Sequence, residues 1–165
     1  MPQGDIDQLC VGLAAVVRTL LRKRPTLHVV LLADGAPELW TRLDHAFNRK
    51  TLGVAVSRLV DFWHLLEKLG KAAKVLHGEA RASTMLQTWR LQLLNRVQTL
   101  GEIWAELHRS GQQNTVVGAS RPVHEAITYL ENHRLEMNYA AARKRGLPVG
   151  SGNVEATCKS LVALR

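Results

Sequence analysis

Three carboxylates stand where a metal-dependent site would place them. Asp34 closes the apolar run Val29-Val30-Leu31-Leu32-Ala33 and precedes Gly35, Asp61 closes a second apolar run from Leu52 to Val60, and Glu155 follows the glycine-rich segment Gly146 to Asn153. In α/β sheets a polar residue at the carboxyl end of a buried strand lies at the mouth of a crevice, where ligands bind. Hard cations such as Mg²⁺ take carboxylate oxygens, and a few such ligands can activate a water or a 3′-hydroxyl for phosphoryl transfer. Asp34 and Glu155 are the candidates for that chemistry. Each carboxylate also has a plainer reading: Asp34 as a turn residue ahead of Gly35, Glu155 as a first-turn partner of a helix dipole, and Asp61 as an N-cap.

Around these lie auxiliary groups. His64 falls three residues after Asp61 on the same helix face, a spacing that suits a metal or phosphate contact as well as simple local packing. The cluster Arg143-Lys144-Arg145 beside the glycine-rich run suits phosphate contacts. The run itself lets backbone amides approach a ligand or another segment closely. A glycine-rich phosphate loop with its lysine, a serine nucleophile elbow and paired cysteines are all missing, which excludes the commonest nucleotide-binding and hydrolase classes.

The formal charge of +8 over 165 residues favours a polyanionic partner, nucleic acid ahead of an anionic membrane surface. Aromatic residues make up 5% of the chain, too few for a stacking platform for single strands. The two cysteines, Cys10 and Cys158, stand at opposite ends in no metal-type spacing, which fits a reducing cytoplasm. The apolar stretch Val11 to Val17 is cut short by Arg18 and then Arg22, Lys23 and Arg24, so neither a membrane span nor a signal peptide is expected.

The elements that must position these residues follow from periodicity. Apolar residues at Leu9, Leu13, Val16, Val17, Leu20 and Leu21 predict a helix over 7–24, ended by Pro25. A strand to Ala33 follows, and Pro37 opens a helix through Trp40, Leu43 and Phe47. A second strand over 52–60 runs into a helix capped by Asp61 and continuing to Leu76. Alternating strands and helices of this length imply parallel pairing. Residues 81–109 read as one or two long helices with Leu86, Trp89, Leu93, Val97, Leu100, Trp104 and Leu107 on one face. A polar break at 110–114 precedes a helix from Pro122 to about Asn132, and a last helix restarts at Ala156. One unit of 165 residues is expected, with an all-helical insertion over 78–132 and a loop-and-helix terminus over 143–165.

Taken together, Leu32-Ala33-Asp34-Gly35-Ala36 with Trp40, Val60-Asp61-Phe62-Trp63-His64, Tyr129-Leu130-Glu131-Asn132 and Gly146-Leu147-Pro148-Val149-Gly150-Ser151-Gly152-Asn153-Val154-Glu155 with Lys159 resemble the DDE transposases of the ISKra4 group of insertion sequences. The order and spacing match over nearly the whole chain. The resemblance implies an α/β ribonuclease H-like core, partial here, carrying an all-helical insertion. It makes Asp34 the second and Glu155 the third acid of a catalytic triad that binds Mg²⁺ or Mn²⁺, with Asp61 and His64 auxiliary. It also implies a double-stranded DNA partner at transposon ends, contacted by Arg143, Lys144, Arg145 and Lys159. A homo-oligomer and a cytoplasmic location complete the expectation. The family's first catalytic aspartate has no counterpart here, since Asp5 and Asp7 lie in a polar leader running into a helix. The chain is therefore expected to be a transposase fragment that binds metal weakly and is inactive alone; the alternative is a non-catalytic basic DNA-binding or oligomerising remnant.

Overall fold

The computed structural model describes residues 3–151. Among these residues it is a mixed α/β structure, mostly helical, with two parallel strands in one sheet. The chain divides into two compact units, Met1–Leu59 and Val60–Arg165.

The first unit begins with α1 (Gln3–Lys23), whose last turn gathers Arg22 and Lys23 where the helix dipole favours cations. Strand β1 (Val29–Ala33) leads to α2 (Pro37–Ala46), which starts at Pro37 as expected because proline's missing N–H costs nothing in a first turn. A short helix that the apolar texture conceals, α3 (Arg49–Leu52), comes next. Asn48 caps it by accepting from Thr51 N–H at 3.0 Å, and Gly53 ends it at φ 76°. These two caps win over the β-type texture, so Leu52 closes a helical turn and β2 is confined to Val56–Val60. The strands pair in parallel, as their helical crossover requires.

Helix α1 packs against α2 and α3, and Cys10, Ala14 and Leu21 on it are buried. Leu9, Leu13, Val16 and Leu20, expected on the packed face, form the neighbouring row and are 48–60% exposed. Trp40 is buried, with the Arg58 guanidinium 4.4 Å from its ring centroid, and Arg58 pairs with Asp44 at 2.9 Å.

The second unit is organised around α4 (Phe62–His77). Its 3.6-residue apolar period buries Leu65, Leu69, Ala72 and Ala73 completely against α5 (Glu79–Asn95) and α7 (Pro122–His133). Gly78, at φ 73°, separates α4 from α5 in a single residue. The helical stretch over 81–109 proves to be two helices, because α5 ends at Asn95 and α6 (Thr99–Arg109) starts after a break at 96–98. The break rotates the second helix out of phase. Trp89 and Leu93 are buried on α5, and Ile103 and Leu107 on α6, whereas Val97 is 64% and Trp104 39% exposed. A 3₁₀ turn (Arg134–Glu136) and a further short helix, α8 (Tyr139–Lys144), follow. Apart from an isolated bridge between Val117 and Ser120, all regular structure described in this unit after α4 is helical. Among the described residues no helix is long and apolar enough to cross a membrane.

Candidate functional site

Asp61 sits at the head of α4 and is only 8% exposed. Its Oδ1 accepts from the N–H of Trp63 at 2.8 Å and of His64 at 3.4 Å, the N-cap geometry that its place between strand and helix predicts. Its Oδ2 does something that the local sequence does not announce: it accepts from Ser151 N–H at 2.6 Å, across ninety positions of chain. The Ser151 hydroxyl donates to the same carboxylate. Burial by itself pushes the Asp61 carboxyl upward, but the bonds from Ser151, Trp63 and His64 outweigh it and hold the group below the ordinary aspartate value.

The segment that reaches Asp61 is the glycine-rich run. Helix α8 ends in a Schellman arrangement, with Leu147 N–H on Ala142 C=O at 3.0 Å and Gly146 N–H on Arg143 C=O at 2.9 Å, and Gly146 adopts φ 69°. The chain then crosses the start of α4. Phe62 N–H donates to Val149 C=O at 3.0 Å, satisfying one of the donors that a helix N-terminus leaves over. Gly150 lies so close to Trp63 that a β-carbon there would meet the indole Cδ1 at 2.8 Å and Nε1 at 3.0 Å. The close approach expected of this glycine-rich run is thus made to a helix end.

Beneath the strap lies Tyr139, 1% exposed, edge-on to Phe62 with ring centroids 4.9 Å apart. Its hydroxyl has no hydrogen-bond partner among the described residues, and burial drives its pKa far upward, reinforced by the nearby Tyr129 and Asp61. Neither α8 nor Tyr139 was expected from the sequence, because six residues carry too little periodicity to stand out.

Asp34 is exposed at the end of β1, and its Oδ1 accepts from Ala36 N–H at 3.0 Å across Gly35, which adopts φ 98°. The turn reading therefore describes one of its carboxylate contacts. His64 is half-buried, its ring 5.7 Å from Tyr129 and its Nδ1 4.0 Å from Glu67, so it packs locally and meets Asp61 through its backbone N–H. Glu131, from the third motif segment, accepts from the Trp104 indole at 3.0 Å, a contact between α6 and α7, whereas Trp89 is core. Arg143, Lys144 and Arg145 are exposed at the end of α8, and Arg143 donates to Asn95 at 2.8 Å. Glu155, Lys159 and Cys158 lie outside the described residues.

Among the described residues no three His, Cys, Asp or Glu side chains come together as a metal cluster. Asp34 nonetheless has the donor chemistry that Mg²⁺ prefers, an exposed carboxylate. No family model, curated protein or solved structure matches the chain.

Proposed function

We propose that the chain is a portion of the catalytic domain of a DDE transposase of the ISKra4 group, with a partial ribonuclease H-like core. The observation that supports this reading best is the seating of Val149, Gly150 and Ser151 on Phe62, Trp63 and Asp61. Two of the motif segments that carry the resemblance, far apart in sequence, meet through contacts that depend on their particular residues: a glycine where no side chain fits and a carboxylate where two donors converge. The exposed carboxylate at the end of β1 and the helical stretch over 78–132 agree with the same reading.

Asp34 and Glu155 are the residues proposed to hold Mg²⁺ or Mn²⁺, which when bound supplies Lewis-acid stabilisation to phosphodiester cleavage and strand transfer. The DNA partner is proposed to be contacted by Arg143, Lys144, Arg145 and Lys159, whose charge suits phosphate contacts that do not read sequence. Two carboxylates by themselves hold such an ion weakly, so these 165 residues alone are proposed not to cleave. The test is a nicking assay on supercoiled DNA with Mg²⁺ or Mn²⁺. No metal-dependent nicking is expected from the chain as it stands. Nicking that disappears in both Asp34→Ala and Glu155→Ala would retain the family and overturn the inactivity.

A second reading is favoured by the three exposed cations in sequence at the end of α8: a basic DNA-binding or oligomerising remnant without catalysis. It predicts duplex binding whose affinity falls steeply with salt and weakens in Arg143→Ala/Lys144→Ala/Arg145→Ala. The absence of binding at low salt would remove it.

A further inference from the structure

The N-cap of α4 needs only one acceptor oxygen, and Asp61 Oδ1 supplies it to Trp63 and His64. A serine, threonine or asparagine would do that as well. Aspartate brings a second oxygen, and this one holds Ser151 through its N–H at 2.6 Å. The tie is one of three at the same place, with Phe62 N–H on Val149 C=O and Gly150 against the Trp63 ring. On the strap's other side, the Schellman end of α8 fixes where it starts. The strap over 146–151 is thus held at both ends.

We infer that Asp61 is a positioning residue: its second carboxylate oxygen locks the strap over 146–151 across the head of α4. The latch gives Asp61 a task beyond capping, one that uses its second oxygen.

Limited trypsin digestion of the full chain tests the latch, because Arg143, Lys144 and Arg145 offer cleavage sites at the strap's start, and cutting there reports its opening. Asp61→Ser keeps a good N-cap and removes the second carboxylate oxygen. It is expected to speed cleavage over 143–146 about tenfold, the factor that 1.4 kcal/mol represents, while cleavage after Lys71 and Lys74 within α4 is unchanged. Gly150→Ala, which leaves Asp61 intact and pushes a methyl into the Trp63 ring, is expected to do the same. The double variant should be at least as fast as either single one, since both loosen one latch. Wild-type cleavage rates in either variant would overturn the proposal, and so would acceleration equally strong inside α4. If Asp61→Ser fails to fold, Gly150→Ala alone decides by the same criterion. Neither readout needs metal or DNA, so the latch stands or falls separately from nicking by the chain.

Discussion

Tyr139 offers the sharpest quantitative test of the second unit's packing. The ring is almost wholly buried and edge-on to Phe62, but its hydroxyl has no hydrogen-bond partner among the described residues. A buried polar group left unpaired costs about 1–3 kcal/mol relative to its hydrated state in the unfolded chain. Tyr139→Phe removes the hydroxyl and keeps the ring, so the Phe62 contact and the surrounding van der Waals fit persist. The expected result is stabilisation by about 1 kcal/mol, which for a chain of this size raises Tm by about 2–4 °C. Chemical denaturation at neutral pH measures the first quantity and calorimetry the second. The upward pKa supplies an independent check. Because the folded state holds its proton well above the pH at which an unfolded tyrosine loses it, wild-type stability should begin to fall near pH 10, where the unfolded state ionises. In Tyr139→Phe that part of the alkaline loss should be absent. A Tyr139→Phe protein destabilised by 1 kcal/mol or more would refute the reasoning, since it would mean that the hydroxyl has a partner.

Two further expectations follow from burial and charge. Asp61 titrates below the ordinary aspartate value in the folded state, so its contribution is fully present above about pH 4 and is lost as pH falls through the lower folded value. Asp61→Asn should therefore be less stable than wild type at pH 7, with the gap narrowing below pH 4 in urea titrations; a gap independent of pH would contradict the assignment. Leu69, fully buried on α4, should cost about 2–5 kcal/mol as Leu69→Ala, read by equilibrium denaturation, and a loss below 1 kcal/mol would show that α4 is not the unit's core.

Much of the secondary structure was legible because it depends on local signals. Pro37, Asp61 and Pro122 mark helix starts by chemistry that acts within a turn, and β1 is a short apolar run between breakers. Where legibility failed, the deciding interaction was either too brief or too distant. The cap pair Asn48 and Gly53 imposes a four-residue helix on a stretch whose composition suggests a strand, and α8 is too short for its period to register. The row Leu9, Leu13, Val16 and Leu20 shows that helical spacing tells which residues share a face but not whether anything lies against it. At the candidate site, the sequence identified Asp61 as a cap and the glycines as a place of close approach. That the two are the same place depends on a hydrogen bond between residues 61 and 151, and no periodicity carries that information.

The exposed row on α1 also has a colloidal consequence. A chain with formal charge +8 repels its own copies in dilute buffer, and that repulsion opposes association through the exposed strip of Leu9, Leu13, Val16 and Leu20. Salt screens the first effect within a Debye length and leaves the second untouched, and sulfate strengthens it. Many basic proteins are kept in solution by raising ionic strength; this one should become less soluble as sulfate is added, and the strip on α1 would be the cause.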